Sequence, residues 1–371
     1  MAEKPTYRIL IGGGGTGGHV FPAIAIADAL KALLPGSEFL FVGAQGRMEM
    51  EKVPAAGYRI EGLPVAGFQR RLTRKNLSFF PRLVASMWRS RKIIRSFRPD
   101  VAVGVGGYAS GPILKAAVRR GIPIVIQEQN SYAGVTNRLL ARSAAKICVA
   151  YERMDRYFPA GKLVLTGNPI REFLQNLPSD RTACRKAFDL GAEGKVCLVL
   201  GGSLGARTLN ESLVAGFHRL AESGVRLIWQ CGRVYEKEMQ AALAESGVES
   251  IRLRAFIERM DLAYGAADVI VSRAGALSIS ELCMVGKPAI LVPSPNVAED
   301  HQTRNAEALV EKGAALMVAD RDARTGLLDA LFGLLGEEER MARMGEEILK
   351  IGIPDAADRI AREVHITMTE K

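Results

Sequence analysis

Six glycines in seven positions, GGGGTGG over residues 12–18, follow the apolar run RILI and lead directly into His19 and the helical stretch VFPAIAIADAL. Glycine at that density brings no side-chain chemistry. It lets the backbone come close to a partner and leaves the open N–H groups of a helix start beside it, an arrangement that favours an anion such as a diphosphate. The helix N-terminus disfavours an imidazolium at His19, so a neutral ring stands ready to take a proton from a hydroxyl. The alternative role for His19 is to hold the turn by donating to a loop carbonyl. Glu128, in QEQN at 127–130, is the rival base, or else a buried carboxylate that props its loop through backbone N–H groups. Gly12, Gly14 and Gly17 satisfy G-x-G-x-x-G, but the tip of the next strand, FVGAQG at 41–46, lacks the carboxylate that would hold a dinucleotide ribose.

A second anion site is expected at SRAGALSISE, residues 272–281, where a strand ends and small residues turn into a helix. Its N–H groups and the Ser278 hydroxyl suit a pyrophosphate. Glu281, one turn further in, suits two ribose hydroxyls; the S-x-x-E spacing equally fits a capping box with Ser278. Another strand is expected over 288–295, leading to Asp300, His301, Gln302 and Asn305, where amides that both donate and accept suit a sugar. The D-x-D at Asp320-Arg321-Asp322 reads as a solvated charged loop, and no metal is expected in the chemical step.

Apolar runs alternating with amphipathic stretches must position these residues. Strands are expected at 8–11, 38–42, 101–105, 122–126 and 146–149, then at 196–200, 225–230, 251–255, 269–272 and 289–292. Strand, glycine loop and helix occur twice, the second time at GGSLGAR, residues 201–207, which predicts two doubly wound α/β domains. The turn-rich TGNP at 166–169 places the boundary at 166, giving domains 1–166 and 167–354. A final helix over 355–371 is expected to rejoin the first by fold analogy.

The 371 residues are 48% hydrophobic and 24% charged, as in well-packed soluble domains. Five scattered cysteines without C-x-x-C spacing point to a reducing compartment rather than a disulfide frame or zinc site. No signal peptide or membrane-spanning run is read from the sequence. The net charge of +10 is concentrated. Residues 62–99 hold ten basic side chains and no acidic one, and without those ten the charges balance. Arg82 to Arg98, projected as a helix, sets Leu83, Met87, Ile93, Ile94 and Phe97 on one face as core, with the cations opposite and Trp88 among them. Leu72, Arg74, Lys75, Leu77, Phe79, Phe80, Arg82, Trp88 and Arg89 interleave cations with apolar side chains, as an anionic membrane surface requires. Nucleic acid is the weaker partner, since the aromatics are not spaced as base-stacking platforms.

Taken together, GGGGTGGHVFPA, GVGGYASGP, QEQNSYAGVTNR, TGNPIR, GGSLGAR and SRAGALSISE with HQTRNA resemble the MurG family nearly end to end. The resemblance implies a GT-B fold, two Rossmann-like domains facing a cleft. It implies an inverting transferase moving N-acetylglucosamine from UDP to undecaprenyl-pyrophosphoryl-N-acetylmuramoyl-pentapeptide in peptidoglycan synthesis, peripheral on the cytoplasmic face of the bacterial inner membrane. Another UDP-sugar-dependent transferase with a lipid acceptor is the alternative. Carried over by position, Ala276, Leu277, Ser278, Ile279, Ser280 and Glu281 would contact UDP, with Ser203 and Arg171 near the diphosphate. Ile257 would face the uracil, and Gln302 and Asn305 the sugar. Thr16, Gly17, Gly18 and Asn130 would border donor and acceptor alike, with Gly14, Gly15 and Tyr108 on the acceptor. The sequence departs from the family at Gln127, where histidine is frequent, at Leu204, where glutamine is common, and at Ser278, where threonine is usual. Gln127 is assigned no acid–base role.

Overall fold

The structure is a computed structural model and describes residues 6–65, 79–202, 205–297 and 300–370. Two compact units divide the chain: Met1–Ile170 with Pro354–Lys371, and Arg171–Ile353.

In the first unit the strands are β1 (Arg8–Gly12), β2 (Glu38–Ala44), β3 (Arg59–Leu63), β4 (Val101–Gly104), β5 (Ile124–Glu128), β6 (Lys146–Val149) and β7 (Leu163–Leu165). All pair in parallel in the order β3-β2-β1-β4-β5-β6-β7, which reverses direction between β1 and β4. The helices are α1 (Gly17–Leu33), α2 (Glu49–Ala55), α3 (Phe79–Phe97), α4 (Ser110–Val118) and α5 (Val135–Leu140), with the returning C-terminal helix Ala356–Thr369. Parallel strands covered on both faces need apolar residues on both, which is why RILI, VAV and IVI read as unbroken apolar runs. Alternate side chains serve opposite layers. Ile9, Ile11, Val101 and Val103 join Val20 and Ile26 of α1 and Ile360 and Val364 of the C-terminal helix. Leu10, Ala102, Ile124 and Ile126 join Ile93, Ile94, Ile113 and Leu114 on the other side.

The second unit holds β8 (Val196–Leu200), β9 (Arg226–Gln230), β10 (Ile251–Arg254), β11 (Val269–Ser272), β12 (Ala289–Leu291) and β13 (Leu316–Met317), parallel in the order β10-β9-β8-β11-β12-β13. Its helices are α6 (Arg181–Lys186), α7 (Arg207–Ala215), α8 (Phe217–Glu222), α9 (Glu236–Ser246), α10 (Met260–Ala266), α11 (Ala276–Val285), α12 (His301–Val310), α13 (Ala323–Leu335) and α14 (Glu338–Ile351). The C-terminal helix named above is α15. Trp229 is fully buried among Val199, Leu209, Leu213 and Leu227, with its indole N–H on Asn210 Oδ1 at 3.1 Å.

Several expectations change. The strand expected at 122–126 runs from Ile124 to Glu128, because Pro123 offers no N–H to a ladder. The strand expected over 288–295 is confined to Ala289–Leu291 between prolines. Edge strands β3, β7 and β13 were not anticipated; their short or mixed sequences carry little apolar signal. Leu83 leaves the expected core face of α3: it is 37% exposed, and the buried positions are Ser86, Ser90, Ile93 and Ile94. All five cysteines are buried free thiols, and burial pushes Cys148 and Cys283 up to about 12. No helix among the described residues is long and apolar enough to cross a membrane.

Candidate active site

In the second unit the chain leaves β11 at Ser272 and enters α11 at Ala276, with Gly275 as N-cap in extended geometry and no side-chain cap on the first turn. The N–H groups of that turn, which no N-cap side chain engages, lie at the positive end of the helix dipole. Ala276, Leu277 and Ser278 are half-buried, whereas the Ile279 side chain is buried in the core. Ser280 donates its hydroxyl back to the Ala276 carbonyl at 3.0 Å.

The capping-box alternative for Glu281 does not hold, since Gly275 rather than Ser278 is the N-cap. Glu281 instead accepts Nε and Nη2 of Arg171 at 2.7 and 2.6 Å, a two-pronged ion pair, and the Tyr264 hydroxyl at 3.1 Å. Burial opposes the charge on Arg171, but the Glu281 carboxylate more than restores it, and the guanidinium pKa is raised. Burial, then the Glu281 charge, raises the Tyr264 phenol well above its ordinary value, so it stays a donor. The residues expected at the ribose and at the diphosphate thus hold each other.

The two amides of α12 converge on the same turn. Gln302 Oε1 accepts the N–H groups of Ala274 at 3.2 Å and Ser294 at 2.8 Å, tying the ends of β11 and β12 together. Asn305 Nδ2 donates to the Ala274 carbonyl at 3.4 Å. Asn305 is 0% exposed, and this bond helps to hold the turn. Ile257 is likewise buried, and its N–H donates to Gln230 Oε1 at 3.1 Å. Arg273 joins the Val292 and Pro293 carbonyls to Asp320, which also accepts the Thr208 hydroxyl at 3.0 Å. Asp320 is therefore a strut and not a solvated loop residue. Ser203 lies outside the described residues.

In the first unit the glycine turn holds a partner that the sequence did not reveal. Glu49, 1% exposed at the start of α2, accepts the Gly15 N–H on both oxygens at 3.0 Å and the Ala44 N–H at 2.9 Å. A Cβ on Gly14, whose φ is +144°, would stand 2.2 Å from Glu49 Oε1. From the other side the second glycine turn presses in: a Cβ on Gly107 would stand 2.1 Å from the Gly14 carbonyl oxygen. The glycines make room for a buried carboxylate and a neighbouring turn. Within the glycine loop 12–18, expected to favour an anion, the Gly15 N–H is thus already engaged from within by Glu49. GRMEME reads as a solvated helix start, and the only hint of burial is the methionine on either side of Glu49.

Thr16 is the exposed N-cap of α1, with Gly17 and Gly18 half-buried behind it. His19 donates its backbone N–H to the Thr16 carbonyl at 3.1 Å, and its half-buried ring lies against Gly106, Cε1 3.2 Å from where a Cβ would stand. Glu128 has the buttress geometry. One oxygen accepts the Asn130 N–H at 3.1 Å and its Nδ2 at 3.3 Å; the other accepts Gly134 N–H at 3.0 Å and Asn137 Nδ2 at 2.9 Å. Four donors around a carboxylate 2% exposed stabilise its charge and its place, which argues against its role as the mobile base. Gln127 donates to Asn168 Oδ1 at 2.9 Å, and Asn168 donates to the Gln129 carbonyl at 3.0 Å, an amide network that binds QEQN to TGNP. Tyr108 is largely exposed.

On α3, Arg82 is exposed, Trp88 is 68% exposed and Arg89 approaches Glu61 at 3.9 Å. Phe79 and Phe80 open the helix, with only their backbone described; Leu72, Arg74, Lys75 and Leu77 lie outside the described residues.

Comparison with known proteins fits this architecture. Residues 9–149 match the glycosyltransferase family 28 N-terminal domain and residues 196–360 its C-terminal domain. The chain is 52% identical over 364 residues to the UDP-N-acetylglucosamine--N-acetylmuramyl-(pentapeptide) pyrophosphoryl-undecaprenol N-acetylglucosamine transferase of Bacteroides fragilis, covering 98% of this chain and 96% of that one. It is 54% identical over 362 residues to the protein of that name from Phocaeicola vulgatus, covering 97% and 96%. Among solved structures, Acinetobacter baumannii MurG superposes with a TM-score of 0.79 at 29% identity, over 97% of this chain and 99% of that chain. A UDP-GlcNAc 2-epimerase from Neisseria meningitidis, at 15% identity and a TM-score of 0.66 over 98% and 99%, shares the fold alone. With two glycosyltransferase family 28 domains and half of its residues shared with these transferases over nearly its whole length, the chain belongs to the MurG family.

Proposed function

We infer that this protein transfers N-acetylglucosamine from UDP-N-acetylglucosamine to the muramoyl-pentapeptide pyrophosphoryl-undecaprenol lipid in peptidoglycan synthesis. The observation that carries this is the identity of about half, sustained end to end, with proteins named for that activity.

The geometry supports the following division of labour. The uncapped first turn of α11 receives the diphosphate, where helix N–H groups and dipole stabilise the charge that grows as UDP leaves. Arg171 adds a positive charge there, and Glu281, released from it, accepts hydroxyls of the ribose. A muramoyl hydroxyl attacks the anomeric carbon, the bond from that carbon to the diphosphate oxygen breaks, and UDP departs with the electron pair. The hydroxyl proton passes to the His19 imidazole, and the single displacement inverts the anomeric carbon. Glu128 holds the Asn130 loop and is assigned no proton. No metal is assigned to the step, since α11 and Arg171 supply the positive charge it needs. The arginine-rich face of α3, with Trp88 among its cations, suits the anionic surface of the inner membrane, on whose cytoplasmic side we place the protein as a peripheral enzyme.

The test is product analysis with labelled UDP-N-acetylglucosamine and a short-chain muramoyl-pyrophosphoryl lipid. A disaccharide lipid with inverted linkage is expected, formed only when the lipid is present. Free sugar released without an acceptor, or transfer to diacylglycerol alone, would overturn the reading.

A further inference from the structure

Tyr264 lies on α10, where it shares the buried face with Met260, Ala263 and Ala266 at helical spacing. Its side chain is 1% exposed. A buried phenol needs a partner for its hydroxyl, and a backbone carbonyl would serve the fold equally well. The hydroxyl goes instead to Glu281 Oε2 on α11, at 3.1 Å. That carboxylate is already matched by Arg171, whose Nε and Nη2 each reach one of its oxygens. The phenol thus adds a third donor to a charge that two have satisfied. Its value lies in the state in which Arg171 has turned to the diphosphate.

In that state Glu281 keeps a carboxylate whose side chain is only 13% exposed, and Tyr264 is the donor that stays with it. The last torsion of a glutamate side chain is broad, so nothing within Glu281 itself fixes the plane of its two oxygens. A donor anchored in the core and bound to one oxygen does fix that plane. Oε1 then has both lone pairs open and Oε2 has one, enough for two neighbouring hydroxyls to take one oxygen each. The two-pronged contact of Arg171 shows that paired donors can reach both oxygens at once.

We propose that Tyr264 is a positioning residue that sets the preference for an intact ribose diol, by holding the Glu281 carboxylate where both of its oxygens accept from the 2′ and 3′ hydroxyls of the donor. The claim rests on the transferase reading above, in which Glu281 meets the ribose. It adds the residue that makes Glu281 selective for the complete diol over a deoxyribose. Tyr264 acts through Glu281 and touches no substrate atom.

The experiment compares UDP-N-acetylglucosamine with its 2′-deoxyuridine counterpart, at a saturating short-chain muramoyl-pyrophosphoryl lipid. The native protein is expected to show a KM about tenfold or more higher for the deoxy donor. Tyr264→Phe removes one oxygen and keeps the ring in the core. In this variant the KM for the ribose donor is expected to rise about fivefold or more, with both kcat values and the deoxy KM within about twofold of native. The ratio of the two KM values, which does not depend on the folded fraction of the sample, falls towards one. In a Glu281→Ala background, Tyr264→Phe is expected to leave that ratio unchanged, and a further shift there would overturn action through Glu281. A full diol preference kept by Tyr264→Phe overturns the proposal, and so does an equal rise in both KM values, the mark of a generally loosened site. An unfolded Tyr264→Phe overturns it too, because the hydroxyl then serves the fold. Equal use of both donors by the native protein removes Glu281 from the ribose and the proposal with it, whereas transfer from neither donor defeats the transferase reading itself.

Discussion

The two carboxylate oxygens of Glu49 both accept the N–H of Gly15, each at 3.0 Å, from beneath the first glycine turn. This contact decides what that turn can bind. An anion approaching Gly15 would find its donor engaged and a buried negative charge behind it. The turn is thus stiffened from within and holds His19 in the first turn of α1.

Replacing Glu49 by alanine strands the half-buried N–H of Gly15 and the buried N–H of Ala44. The expected loss is about 2–4 kcal/mol of stability, read by urea unfolding. Glu49→Gln should lose nearly as much, because its amide nitrogen presents donors to a site that needs acceptors. Turnover should fall in both variants more than donor affinity does, since the turn that carries His19 loosens. An alanine variant with native stability and native turnover would show the pin to be dispensable.

Arg171 and Glu281 are expected to be coupled through the donor. Arg171→Ala would remove the cation proposed for the diphosphate and leave Glu281, among the described residues, with the Tyr264 hydroxyl, so UDP affinity should drop about tenfold or more by calorimetry. Glu281→Gln should weaken UDP less than Arg171→Ala, because the loss of a ribose acceptor is partly offset by freeing Arg171. The double variant should fall short of the product of the two effects. Strict additivity would separate the two residues and remove the exchange of partners from the mechanism.

How much of this was legible depended on the range over which each feature is decided. Buried parallel strands such as VCLVL and the small-residue turn RAGA are specified by a handful of adjacent residues, and both were read correctly in kind. The amides Gln302 and Asn305 were recognised as groups that donate and accept, but their partner is the backbone around Ala274, which only the packing of α12 reveals. Glu49 meets Gly15 across 34 positions of sequence, and no local pattern marks it. For α3 the helical period was right. Leu83 was misplaced because the wall it faces, built by α4 and α5, stops short of closing over it.

His19→Ala should lower turnover by about 10²–10⁴-fold, the usual contribution of a general base, while UDP affinity measured calorimetrically stays within about twofold. His19→Gln keeps a donor and an acceptor without a proton-accepting ring and separates the two roles. If the ring only holds the turn, glutamine should restore most of the activity; if it takes the proton, glutamine should be nearly as impaired as alanine. Glu128→Gln serves as the control, with the main loss expected in stability because its amide sets a donor against the donors of the Asn130 loop.

The basic face of α3 makes a prediction that requires no catalysis. Arginines near an anionic bilayer contribute about 1 kcal/mol each, or roughly fivefold in partitioning, and the effect vanishes within a Debye length as salt rises. Charge reversal at Arg74, Lys75, Arg82 and Arg89 together should abolish co-sedimentation with phosphatidylglycerol-containing vesicles. Trp88→Ala should weaken it by a salt-independent factor, because an exposed indole inserts by apolar contact rather than by charge. Trp88→Ala should not alter transfer to a soluble short-chain acceptor by more than about twofold, a margin of roughly 0.4 kcal/mol that places this side chain at the membrane and not at the reaction. Equal sedimentation of the native protein with neutral vesicles would remove the electrostatic part of the argument and leave the apolar residues of α3 to account for membrane association alone.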